Sequence, residues 1–82
     1  MGATRHVVQR FPEIAPAIKL GCLMDEEFSN LCQDYDDAID ALHHWQNSRD
    51  RTAPKLVEEY VAAIRELEAE IREAATRWQP AP

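Results

Sequence analysis

The stretch PKLVEEYVAAIRELEAEIREAATRW, residues 54–78, decides the fold of this chain. Its apolar residues recur at alternating spacings of three and four positions, a heptad pattern that continues without a break. Helices wind around a partner helix when apolar residues recur about every 3.5 positions, because the apolar stripe then keeps facing the partner. The stretch therefore predicts a long helix over residues 54–78 that packs against another helix. We call its apolar stripe the C-terminal seam; it comprises Val57, Tyr60, Ile64, Leu67, Ile71, Ala74 and Trp78.

Charged residues on this helix are spaced to pair along it. Glu68 and Arg72 are four positions apart, as are Glu73 and Arg77, and the acid comes first in each pair. Acid-first pairs at this spacing stabilise a helix. We therefore expect both pairs to support the helix.

A second long helix is predicted over residues 25–46. Asp25 suits the N-cap position, and Glu26 and Glu27 follow it at the positive end of the helix dipole. The apolar stripe of this helix is broader than a two-stranded seam, so it can contact more than one neighbouring helix. The stripe consists of Phe28, Leu31, Cys32, Tyr35, Ala38, Ile39, Leu42 and Trp45.

The segment NSRDRTAP, residues 47–54, is rich in turn-forming side chains and separates the two long helices. A connection this short makes the two helices antiparallel neighbours. We therefore expect an antiparallel hairpin, similar to a coiled coil, within a single domain over residues 11–78.

A short helix is predicted over residues 12–20, before the hairpin. Pro12 suits a first helical position, but Pro16 is unfavourable inside a helix. Either the helix begins at Ala15 or Pro16, or two turns are joined by a kink. Gly21 is a natural helix stop. The flanking sequences predict a flexible N-terminal segment, residues 1–10, and a short tail, residues 79–82.

The predicted fold class is thus all-α, and we expect a homo-oligomer, a dimer or higher. A chain of 82 residues buries only a small fraction of its surface, so association is a ready source of added stability. The broad stripe on the first long helix also has more apolar area than one partner helix covers. We expect two hairpins to pair into a four-helix bundle.

The phrase FPEI (residues 11–14), an acidic cap before Phe28 and the stretch LCQDYDDAIDAL (residues 31–42) resemble the YdcH-like family. Members of this family are small bacterial proteins of unassigned function. The resemblance covers about residues 6–75. It implies a helical hairpin that can self-associate, and it implies no catalytic residues.

The charge pattern excludes several classes of partner. The net charge is −6, and residues 25–48 contain seven acids and no lysine or arginine. Phosphate backbones and anionic membranes bind basic side chains, so we expect neither nucleic acid nor membrane as a partner. No apolar run approaches the length of a membrane span or a signal peptide, which predicts a cytoplasmic protein with reduced thiols. The acidic surface can instead attract a protein partner with a basic surface.

The function predicted from these features is that of a non-catalytic structural or interaction module. The sequence contains no nucleophilic triad, no phosphate-binding glycine loop and no cofactor motif, so we expect no enzyme activity and no cofactor. The biological pathway, the identity of any partner and the number of chains that associate are left open. The candidate interface residues are outward members of the broad stripe and nearby acids: Leu31, Ala38, Trp45, Asp34 and Asp37.

The alternative function is a metal- or redox-responsive helical module. His43 and His44 follow Asp40 closely, and Asp40 and His44 share a helix face. Cys22 adds a thiol, but Cys22 and Cys32 are ten positions apart and have no zinc-ligand spacing. We therefore predict no metal site within one chain. An assembly that brings two such clusters together is the arrangement that would create one.

Overall fold

The computed structural model describes residues 5–79, and within this range every regular element is helical. Helix α1 spans Arg5–Arg10, α2 spans Ala15–Met24, α3 spans Glu26–Gln46 and α4 spans Ala53–Ala75. Single turns of 3₁₀ helix occupy Pro12–Ile14 and Thr76–Trp78. The predicted all-α class is confirmed. None of the helices between residues 5 and 79 is both long and apolar enough to cross a membrane.

The two long helices, α3 and α4, form the largest contact between elements. At the start of α3, the Asp25 carboxylate lies 3.3 Å from the Arg77 guanidinium, just beyond the end of α4. In the middle of α3, the Tyr35 hydroxyl lies 2.8 Å from the Glu68 carboxylate. The core between the two long helices also contains side chains from the N-terminal segment. Its buried members are Val7, Phe11, Ile18, Phe28, Cys32, Tyr35, Ala38, Ile64, Ile71 and Ala75.

The N-terminal segment differs from the flexible stretch that the sequence predicts for residues 1–10. Residues 5–10 form α1, and Val7 is fully buried against the core. The backbone N–H of His6 donates to Asp36 Oδ1 at 3.0 Å, so a side chain of α3 accepts from the first turn of α1. Asp36 is the buried charged residue of the described chain, and this contact explains its burial. Residues 1–4 lie outside the described residues, as do residues 80–82.

The predicted helix over residues 12–20 is replaced by a 3₁₀ turn and then α2, which ends at Met24. The helix begins at Ala15, so Pro16 lies in its first turn, where a missing N–H costs little. Gly21 does not end the helix. It lies buried in the interior of α2, and its φ is not positive, as it would be in a glycine helix stop. A Cβ at Gly21 would lie 2.7 Å from ring atoms of both Phe28 and Trp78. Glycine is therefore required here for close packing.

Asp25 forms the junction between α2 and α3. Its backbone is extended (φ −143°, ψ 112°), which ends α2, and its N–H donates to the Gly21 carbonyl. Its Oδ1 accepts from the backbone N–H groups of Glu27, at 2.9 Å, and Phe28, at 3.4 Å. The predicted N-cap of the first long helix is confirmed. One residue thus sets both the end of α2 and the start of α3.

Candidate functional site

A groove of about 660 Å³ lies between the first turns of α3 and the last turns of the C-terminal segment. We call it the acidic groove. Its apolar lining comes from Phe28 and Leu31 on α3 and from Ala74 and Trp78 on the opposite side. The Phe28 and Trp78 rings lie 4.9 Å apart and are tilted by 49°. Phe28 is buried, while the other three side chains are only partly buried and remain accessible in the groove.

Four carboxylates line the same groove: Asp25 and Glu27 from α3, and Glu70 and Glu73 from α4. They stand on both helices because Asp25 caps α3 and because Glu70 and Glu73, three positions apart, share a face of α4. The single basic residue in the lining is Arg77. Its guanidinium lies 3.3 Å from Asp25 and 5.1 Å from the centre of the Trp78 ring, so it is held within the lining.

The predicted interface residues are distributed over separate parts of the molecule. Leu31 lines the acidic groove, whereas Ala38 belongs to the buried core and is only 9% exposed. Trp45 is partly exposed in a depression of about 440 Å³ beside the 47–52 loop. Asp34 and Asp37 are exposed on α3. Ala38 therefore contributes to packing within the chain.

The residues of the metal- or redox-responsive alternative do not form one cluster. Asp40 lies 2.9 Å from His6 Nε2 on α1, and the His43 ring lies edge-on to His6 at 6.2 Å. His44 packs edge-on against Trp45. Cys22 lies elsewhere, on α2. In residues 5–79, no three histidine, cysteine or acidic side chains come together in a way that could hold a metal ion.

Asp40 has a role that the sequence did not predict, since it binds α1. The hydrogen bond with His6 is the main reason that the pKa of Asp40 lies below its ordinary value, and the charge of Arg5, at 3.6 Å, acts in the same direction. The Asp40 side chain is 60% exposed, so water screens these contacts. The signal in the sequence was weak: Arg5 and His6 flank Val7 and Val8 without a helical period.

Glu68 also binds other elements instead of its predicted partner Arg72. Its carboxylate accepts from the Tyr35 hydroxyl at 2.8 Å and from Arg10 Nε at 3.0 Å. Burial, followed by this hydrogen bond to Glu68, raises the pKa of Tyr35. Arg72 lies over the Phe11 ring, 4.7 Å from its centre. The charges of α4 thus hold the N-terminal segment against the two long helices.

The two cysteines come together although they are ten positions apart. Cys32 is fully buried in the core on α3, and Cys22 is partly buried on α2 and packs against that core. Burial is the main cause that raises the pKa of both thiols above the ordinary value. The thiolate is the nucleophilic form of cysteine, so both side chains are poorly reactive in the folded protein.

We therefore expect slow labelling of both cysteines by a disulfide reagent such as Ellman's reagent at neutral pH. In denaturant, both thiols are expected to react at the rate of a free cysteine, because unfolding removes the burial that raises their pKa values. A time course with a Cys22→Ser variant separates the two thiols. Fast labelling of Cys22 in the folded chain would contradict this prediction and favour the redox alternative.

Comparisons of this chain with models of known protein families, with curated proteins and with solved structures found no match.

Proposed function

We propose that this chain is a small, non-catalytic interaction module that acts through helix packing. In this proposal, α3 and α4 form an antiparallel hairpin, and two hairpins pair into a four-helix bundle. The observation that supports it most is the exposure of the C-terminal seam. Of its seven residues, Ile64 and Ile71 are buried, whereas Val57 is partly exposed and is not packed against the core. Apolar area left in water favours association with a further apolar surface.

The antiparallel arrangement is supported by the order of contacts along the two helices. Asp25 at the start of α3 contacts Arg77 beyond the end of α4, and Tyr35 in the middle of α3 contacts Glu68. Antiparallel helices of a bundle pack with such a reversed order of contacts. Two predictions from the sequence accompany this proposal: membership of the YdcH-like family and a cytoplasmic location.

The end of the hairpin near the 47–52 loop is where we propose that the second copy binds. The Trp45 and Val57 side chains are partly exposed there. Neither belongs to the core of the described residues or to the apolar side chains packed against that core. Tryptophan contributes strongly to interfaces because its large apolar surface is removed from water on binding. Truncating Trp45 should therefore weaken association more than it weakens the fold of one chain.

We expect Trp45→Ala to shift the chain towards monomer in light scattering at two protein concentrations. The unaltered chain should have the mass of a dimer or a tetramer, and a chelator should not change that mass. Asn30→Ala is the control, because Asn30 is exposed on α3 and lies outside the depression that contains Trp45. An unaltered chain that is monomeric at both concentrations would overturn the self-association proposal. A mass that falls with chelator would favour the metal-responsive alternative.

A further inference from the structure

We infer that the acidic groove is a docking site for a basic amphipathic helix of another protein. The inference rests on the proposed function as an interaction module, and it names the kind of partner for one of its surfaces. The groove combines an apolar lining with an excess of negative charge.

The apolar lining supplies the area that a partner helix would bury. Leu31, Ala74 and Trp78 are all partly exposed around the buried Phe28 ring. Leu23 and Met24, directly before Asp25, are 84% and 70% exposed and add apolar surface at this end of the molecule.

The negative charge of the groove favours a partner with positive charge. Four carboxylates line it, and the single guanidinium, that of Arg77, already contacts Asp25 and Trp78. Because the carboxylates stand on both α3 and α4, a helix lying in the groove meets acids on either side of its apolar face. Lysine or arginine residues beside that apolar face would therefore find opposite charges on both sides.

A second copy of this chain is a poor occupant of the same groove. The chain carries a net charge of −6, and its residues 25–48 contain no lysine or arginine. Two basic residues at its N-terminus, Arg5 and Arg10, already contact Asp40 and Glu68. A second copy would approach the groove with a like net charge, which opposes binding, and its exposed basic residues Arg49, Arg51 and Lys55 lie together only at the loop end.

The test uses the full chain and a fluorescently labelled synthetic helix with leucine on one face and lysine on the other. We expect saturable binding in fluorescence anisotropy, with an affinity that falls as salt is raised. Two matched peptides separate the contributions of charge and apolar contact to binding. One has serine in place of leucine and keeps the charge, and the other has glutamate in place of lysine and keeps the apolar face. Neither matched peptide is expected to bind measurably. Equal binding of the serine peptide would overturn the inference, because the apolar lining would then be unused.

Protein variants locate the site. The double substitution Glu70→Gln and Glu73→Gln should weaken binding about three- to tenfold, as expected for the loss of two surface ion pairs. The control is Glu58→Gln with Glu59→Gln, which removes the same charge from exposed positions of α4 outside the groove. Equal weakening by both pairs would show attraction by net charge alone and would overturn the groove as the site. Circular dichroism of each variant verifies the helix content.

Light scattering on the same samples separates this inference from the proposed self-association. A monomeric chain that binds the leucine–lysine peptide in the groove would retain the docking site and overturn the dimer. A dimer that does not bind the peptide would overturn the docking site and retain the dimer.

Discussion

Replacing Phe11 by alanine is expected to remove most of the stability of this protein. The Phe11 ring is fully buried between the N-terminal segment and the long helices, and it lies 6.5 Å from the Tyr35 ring. The guanidinium groups of Arg10 and Arg72 lie 5.1 Å and 4.7 Å from its centre. Truncating a buried phenylalanine costs about 3–5 kcal/mol. A core of this size supplies a net stability of about 3–5 kcal/mol, so the variant should be largely unfolded.

Urea denaturation followed by circular dichroism measures this effect, with all variants at one protein concentration because association shifts apparent stability. Leu23→Ala is the control, since Leu23 is 84% exposed and its truncation should change stability by less than about 0.5 kcal/mol. Phe11→Leu keeps most of the buried area but loses the contacts of the ring with the two arginines, so an intermediate loss is expected. If Phe11→Ala were as stable as Leu23→Ala, residues 5–14 would not belong to the cooperative core.

Replacing Gly21 by alanine is expected to destabilise the protein, although the same change in an ordinary helix interior stabilises it by about 0.5–1 kcal/mol. The new Cβ would lie 2.7 Å from ring atoms of Phe28 and of Trp78, so both rings would have to move. Overpacking of this kind costs about 1–3 kcal/mol. The net loss should be about 1–2 kcal/mol, which corresponds to a fall in Tm of about 5–15 °C.

Thermal denaturation of Gly21→Ala, of Trp78→Leu and of the double variant measures this cost and its origin. Removing one of the two aromatic rings should reduce the cost of the alanine, and the double-mutant cycle gives the coupling between the two positions. A rise in Tm for Gly21→Ala would show that helix propensity outweighs the close approach, contrary to our expectation.

The two ends of the long helices present different surfaces. The end near the 47–52 loop exposes Trp45 and Val57, and the opposite end contains the acidic groove with Trp78. The proposed self-association uses the first surface, and the proposed basic partner uses the second. The two proposals are therefore separable, because Trp45→Ala and the Glu70/Glu73 substitutions alter opposite ends of the molecule.

The helical class and the positions of α3 and α4 were predictable from local sequence patterns. Heptad spacing and helix caps are local properties of a chain: the seam in residues 54–78 predicted α4, and Asp25 as a cap predicted the start of α3. For Pro16 the sequence left two alternatives open, and the structure has the first of them, a helix that begins at Ala15 with the proline in its first turn.

Other residues have roles that depend on tertiary contacts with distant parts of the chain. Glycine is a common helix stop, which is why the sequence predicted that role for Gly21. In the structure it lies inside α2, and the Phe28 and Trp78 rings pack where a side chain would be. Residues 5–10 lack a clear period, yet they form a helix because Asp36 accepts from its first turn and Val7 is buried. Local sequence could not predict these contacts, because each requires a partner far away in the chain.

The acidic groove shows the same division. The sequence gives the number of acids, but it does not show which of them surround apolar side chains. Glu73 is spaced to pair with Arg77, whereas in the folded chain Arg77 binds Asp25, far away in the sequence. Packing of α3 beside α4 brings carboxylates from both helices around Phe28 and Trp78. Charge was therefore determined by the sequence, and its placement around an apolar groove was determined by tertiary packing.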